Sequence, residues 1–148
     1  MELKNRLKQY EGTKEYQAKL KYFRNGKFYP YKDSLGYETI GYGHLLESSL
    51  DYSQGITEAQ ADALLENDIQ KARIQYSSLG LNLPNDWQDF MIIMIFQLGL
   101  AGVQKFKKMI AALKVHDYKE AIKQAKDSRW YVQTPNRLND MVEQLVTK

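Results

Sequence analysis

Apolar positions along the chain fall into three regimes. Leu3, Leu7 and Tyr10 recur at helical spacing, which predicts a short amphipathic helix over residues 2 to about 11, closed near Gly12 and carrying Glu11 at its end. From Leu20 to His44 the pattern turns to aromatic-rich, alternating segments broken by Asn25-Gly26, Tyr29-Pro30 and Ser34-Leu35-Gly36. That pattern predicts a small antiparallel sheet of two or three strands, with Asn-Gly as a hairpin turn. The third regime is helical. Its first helix has Thr57 as cap, Glu58 in the first turn and a helical pattern through Ala61, Leu64, Leu65, Asp68, Ile69 and Ala72, and runs to about Ser77. Residues 86–98 are apolar nearly all round, the signature of a buried central helix, and Gly99 is expected to stop it. Further helices are predicted at about 103–113, 117–126 and 135–146, the last with Thr134 as N-cap and Pro135 at the first helical position. Trp87 and Trp130, set among apolar neighbours, read as core aromatics. Helix, small sheet, then many helices is the order of an α+β fold, mostly α.

A chain of 148 residues suits one compact domain, and 43% hydrophobic with 26% charged residues is the balance of a globular chain rather than a disordered one. The longest apolar run, Phe90 to Phe96, is far short of the ~20 residues that span a bilayer, and the charged start lacks a signal-peptide core. With no cysteine and only His44 and His116, neither a thiolate nor a histidine-built metal site is expected. The net charge of +3 is unevenly spread: residues 1–32 carry nine Lys or Arg against three Glu, and residues 33–74 carry two against eight acids. A basic surface beside an acidic stretch suits a polyanionic target such as a bacterial envelope or a nucleic acid. A solvated mixed-charge surface accounts for the same numbers.

The chemistry concentrates in residues 11–44. Glu11 ends a helix and Asp33 leads a tight turn between strands, so folding is able to set two carboxyl groups across a cleft. Glycoside hydrolysis needs that pair, one protonated to serve the leaving oxygen and one ionised to activate or steer water. Tyr22, Phe23, Phe28, Tyr29, Tyr31, Tyr37 and Tyr42 offer faces on which sugar rings or bases pack. Taken singly, each candidate has a plainer reading: Glu11 as a surface carboxylate, Asp33 as a turn former, Thr39 as a strand residue. Gly41 and Gly43 are not a phosphate loop, because no further glycine and no Lys-Ser/Thr follows, and they suit close backbone approach in the sheet.

Glu11-Gly12, the run from Tyr31-Lys32-Asp33 through Thr39-Ile40-Gly41-Tyr42-Gly43-His44-Leu45-Leu46, Phe96-Gln97-Leu98-Gly99, and Ser128-Arg129-Trp130-Tyr131 through Thr134-Pro135-Asn136-Arg137 occur in one order over nearly the whole chain. In these segments the sequence resembles the phage-type lysozymes of the bacteriophage T4 lysozyme kind. The resemblance implies a lysozyme-like fold, with a small N-terminal antiparallel sheet lobe (about 12–56), a long linking helix (about 57–77) and a larger C-terminal helical lobe (about 78–148, with helix 2–11). It also implies a muramidase that cuts the β-1,4 bond between N-acetylmuramic acid and N-acetylglucosamine with inversion, without metal or cofactor. By matching position, Glu11 is the general acid, Asp33 the carboxylate that activates or positions water, and Thr39 the hydroxyl that holds it. Leu45, Phe96, Gln97, Met109 and Gln124 match substrate-binding positions, the last two replacing smaller polar residues. His44 and Asp68 match a structural pair, and Arg137 matches an arginine that contacts the catalytic glutamate.

Glu11 and Asp33 stand 22 positions apart, longer than the family pattern, and the surplus around Leu20–Pro30 reads as an extended or additional hairpin turning at Asn25-Gly26. The nearby Glu15 is an alternative acid; Glu11 is favoured because a glycine follows it and because Glu15 is expected past the helix end. The implied partner is peptidoglycan, met by a monomer made in the host cytoplasm and acting in the periplasm, with a separate membrane-opening protein (a holin) for access. Nucleic acid is not expected as a ligand. Two rival readings are a non-catalytic binding module, which needs none of Glu11, Asp33 and Thr39, and a lytic transglycosylase, which needs no water-positioning pair.

Overall fold

The computed structural model describes residues 2–33, 35–46 and 52–148; Ser34, part of the turn expected after Asp33, lies outside them. Helix α1 (Leu3–Glu11) ends at Gly12, whose φ of 109° carries the chain out of the helix while its N–H still donates to Lys8 O at 2.9 Å. The next six residues form a second helix, α2 (Lys14–Lys19), capped by the Thr13 hydroxyl, which accepts from Tyr16 N–H at 3.1 Å. This helix lacks an apolar stripe, so periodicity did not predict it.

Among the described residues six short strands follow: β1 (Phe23–Arg24), β2 (Lys27–Phe28), β3 (Tyr31–Lys32), β4 (Glu38–Ile40), β5 (His44–Leu45) and β6 (Ile56–Thr57). They build two antiparallel three-stranded sheets, β1-β2-β6 and β3-β4-β5, where one sheet was expected. The β1–β2 hairpin turns at Asn25 (φ 53°) and Gly26 (φ 75°), the paired positive φ values that favour Asn-Gly. Phe28 pairs with Phe23 on one side and Ile56 on the other, and its fully buried ring meets Tyr42 edge-on at 5.1 Å. Thr39 is the centre of the second sheet, opposite Tyr31 and Leu45.

The long helix α3 (Glu58–Ser77) starts with reciprocal caps: Gln60 N–H donates to Thr57 Oγ1 at 3.2 Å and Thr57 N–H donates to Gln60 Oε1 at 2.9 Å. By contact density the chain divides into two compact units, Met1–Gln70 and Lys71–Lys148, with the boundary inside α3.

The second unit is all helix: α4 (Asn85–Gln104), α5 (Lys107–Lys114), α6 (Tyr118–Lys126), α7 (Arg129–Gln133) and α8 (Pro135–Glu143). Phe90 through Ile95 are all buried, as an all-round apolar helix requires. Gly99 breaks α4 with φ 75°, ψ 161°, but helical backbone resumes beyond it rather than stopping. Trp87 and Trp130 are core residues, and Trp130 meets both Phe90 and Phe106 edge-on. Helix α7 was not anticipated; its cap is Ser128, which accepts from Tyr131 N–H at 3.1 Å. Thr134 precedes Pro135 as expected but does not cap α8 with its side chain; its hydroxyl is turned to Trp130, donating to Trp130 O at 3.2 Å, and it accepts from Gln97 Nε2 at 3.3 Å. Among the described residues no single helix is long and apolar enough to cross a membrane. The fold is α+β, mostly α.

Candidate active site

Glu11 is the final residue of α1 and is half-buried. Its side chain lies directly on Gly43, in the turn between β4 and β5. A Cβ added to Gly43 would come within 2.8 Å of Glu11 Cγ, 2.9 Å of Cδ and 3.0 Å of Oε2, and Gly43 has φ +84°. The close approach expected of this glycine is therefore made by the carboxyl side chain of Glu11. The backbone around Glu11 is also held: the Tyr31 hydroxyl lies 3.3 Å from Glu11 O and 3.3 Å from Gly41 O. The Gln17 amide donates to Gly12 O at 2.8 Å and Gly41 O at 2.9 Å. Neither tie was anticipated, and nothing in a lone Gln on a polar helix marks it as buried.

Asp33 follows β3 and opens the β3–β4 turn. Its Oδ1 accepts from Leu35 N–H and Tyr37 N–H, each at 2.9 Å, which makes it the turn former of the plainer reading. Among the described residues Oδ2 takes no hydrogen bond. The turns that carry Asp33 and seat Glu11 lie at opposite ends of β4, and a three-residue strand spans ~10 Å. Thr39, in the middle of β4, is buried and donates its hydroxyl to Tyr37 O at 2.8 Å, so only its lone pairs are left for a water. Glu15 lies past the end of α1, as expected, but in the first turn of a second helix, α2, where it is exposed.

His44 Nδ1 lies 2.9 Å from Asp68 Oδ2, tying β5 to α3. Beside this site, Tyr42 is buried with its hydroxyl pushed up to about 12, first by burial and then by Asp62, Glu58 and Glu15. Among the described residues no group of three or more His, Asp or Glu is placed to hold a metal ion.

The other expected positions divide between the units. Leu45 is exposed on β5 in the first unit. In the second, Phe96 is half-buried on α4, and Gln97 spends its amide internally, accepting from Trp130 Nε1 at 2.9 Å and donating to Thr134 Oγ1 at 3.3 Å. Met109 is fully buried, and with Gln124 it lines a cavity of about 400 Å³ whose walls include Phe106, Lys107 and Ser128. Gln124 donates to Glu120 at 2.7 Å. Arg137 lies in the first turn of α8.

Comparison with known proteins matches the phage lysozyme family model to residues 21–146, a span that contains Asp33 and Thr39 and begins after Glu11 and α2. Probable T4-type lysozyme 1 of Dictyostelium discoideum is 32% identical over 86% of this chain and 91% of its own. Probable T4-type lysozyme 2 of the same organism is 29% identical over 83% and 88%. The pre-baseplate central spike protein Gp5 of Enterobacteria phage T4 is 30% identical over 79% of this chain, which corresponds to 25% of that protein.

Proposed function

The chain belongs to the phage lysozyme family and is a glycoside hydrolase of the lysozyme type, and from that premise we propose that it is a peptidoglycan muramidase in which Glu11 is the general acid and Asp33 directs water. Glu11 protonates the oxygen of the β-1,4 linkage between N-acetylmuramic acid and N-acetylglucosamine. Asp33 accepts a hydrogen bond from water at Oδ2 and takes its proton as it attacks the anomeric carbon from the opposite face, with Thr39 orienting that water through a lone pair. The observation that carries this reading is the anchoring of two carboxyl groups at the two ends of β4. Glu11 is seated on bare Gly43, and Asp33 is fixed through Oδ1, with no bond to Oδ2 among the described residues. An inverting mechanism requires the two carboxyl groups to stand ~6.5–9.5 Å apart, which leaves room for a water between them.

The glycan lies outside the cytoplasmic membrane, so action at lysis from the cytoplasm requires a separate membrane-opening partner. Similarity to a quarter of a phage central spike protein supports a second setting, action from the virion at the start of infection.

Reducing-end release from purified peptidoglycan tests the assignment. Glu11→Gln and Asp33→Asn are each expected to lose ~10²-fold or more in kcat, while Glu15→Gln stays near wild type. Full activity of Glu11→Gln would overturn the assignment. Products carrying an anhydro sugar in place of a reducing end would replace hydrolysis by transglycosylation.

A further inference from the structure

Beside Glu11 the first unit has a groove of about 460 Å³ lined by Gln9, Tyr10, Glu11, Gly12, Thr13 and Tyr16. We propose that this groove is an additional saccharide subsite, in which the Tyr16 ring is the platform for one N-acetylhexosamine ring of the glycan strand. The proposal rests on the glycosidase reading above and adds a contact for that same substrate.

Tyr16 is 57% exposed although it is a large aromatic. One edge of its ring faces the backbone beside Glu11: Cδ2 lies 3.6 Å from where a Cβ on Gly12 would stand. An exposed ring anchored along one edge is the arrangement that offers a flat apolar face to a sugar while its hydroxyl stays wet.

The ring is held in place by its helix. Tyr16 N–H is bonded to the Thr13 cap, and the next residue, Gln17, is the buried residue of α2, about 100° further round. Burying an amide where an aliphatic side chain would fit costs free energy unless its hydrogen bonds are made. Gln17 uses both amide protons, on Gly12 O and Gly41 O, and its buried Oε1 has no protein partner. Helix α2 is therefore positioned by directional bonds to the backbone beside Glu11, with Gln17 turned inward and Tyr16 outward.

The wall chemistry selects the ligand class. Two phenol rings, an amide, a threonine hydroxyl and the carboxyl of Glu11 line the groove, and the Arg6 guanidinium lies 3.5 Å from the hydroxyl of the wall residue Tyr10. Hydroxyl and acetamido groups find partners there, while a polyphosphate backbone would meet the Glu11 carboxylate. The volume is in the range of a small-molecule site.

Glycan fragments of defined length from purified peptidoglycan are the probe, with Tyr16→Ala and Tyr16→Phe tested by steady-state kinetics and, in the Glu11→Gln background, by calorimetric binding. Tyr16→Ala is expected to raise KM about three- to tenfold on long fragments with kcat unchanged, and to weaken binding by the same factor. Tyr16→Phe, which keeps the ring, is expected within about twofold of wild type by the same reasoning. Because Tyr16 is exposed and contributes only its backbone N–H to the cap, Tyr16→Ala is expected to fold normally, checked by its melting temperature. Unchanged KM and unchanged binding in Tyr16→Ala would overturn the subsite while leaving an inactive Glu11→Gln to support the acid. An active Glu11→Gln would overturn the reading on which the subsite rests. Binding of oligo(dT) that is lost in Tyr16→Ala, with glycan binding unaffected, would move the groove to a nucleic acid.

Discussion

At the scale of single residues, one missing methyl group decides where Glu11 sits. With no side chain at position 43, the Glu11 carboxyl comes down onto the backbone of the β4–β5 turn; any Cβ there would lie inside van der Waals distance of three Glu11 atoms. Gly43→Ala is therefore expected to lower kcat by at least ~10-fold, an upper-barrier change of about 1.4 kcal/mol, with substrate KM nearly unaltered, because it displaces the acid rather than the binding surface. Its φ of +84° adds a backbone penalty of ~1–2 kcal/mol, to be read as a lower melting temperature. Glu11 itself was legible as a carboxylate at a helix end followed by glycine. Gly43 was legible only as a glycine that permits close approach, since what approaches it comes from 32 positions earlier in the chain. Gln17 was not legible at all, because burial of a lone amide depends on carbonyls that the fold brings to it.

At the scale of elements, local signals succeeded where the physics is local. Thr57 and Gln60 exchange side-chain and backbone hydrogen bonds within four residues, and the cap of α3 could be placed from sequence. Thr57→Ala is expected to destabilise the protein by about 1 kcal/mol, measured as a shift in the urea midpoint, with little effect on the activity of the folded fraction. Asn25-Gly26 likewise specifies its own turn through two positive φ values. The elements that escaped prediction are those whose stability is not periodic. Helix α2 has one buried position, and it is polar; α7 is five residues held by a serine cap and the burial of Trp130; β6 exists because β2 pairs with it across nearly thirty intervening residues.

At the scale of the whole molecule, the end of the chain is tied to the start of the central helix of the second unit. Asp86 Oδ2 accepts from Val146 N–H at 3.0 Å and Thr147 N–H at 2.8 Å, while Trp87 Nε1 donates to Thr147 O at 2.8 Å. Burial, the largest influence, pushes the Asp86 carboxyl up, but the N–H groups of Thr147, Val146 and Trp87 and the Thr147 hydroxyl together hold it below its ordinary 3.8. A depressed carboxyl binds its proton more weakly in the folded chain than in the unfolded one. Its contribution is therefore present above the unfolded value near 3.8 and is lost as pH falls through the lower folded one. Asp86→Ala is expected to cost roughly 1–3 kcal/mol at neutral pH and to flatten the fall in stability below about pH 4, read from urea midpoints across the acid range. Unchanged acid sensitivity in that variant would remove Asp86 from the account.

What the chain determined by itself are the features set by neighbours within a turn or two: the caps, the hairpin turn, the apolar all-round stretch of α4, and the ordered segments that place it among the phage lysozymes. Those depend on backbone preference and on periodic burial, both of which act over a few residues. The tertiary structure alone decided that Glu11 rests on Gly43, that Gln17 is buried, that Tyr16 is left open beside them, and that the strands divide into two sheets. Each of those depends on a contact between positions far apart in sequence, whose energy is realised only when the chain has already closed around it.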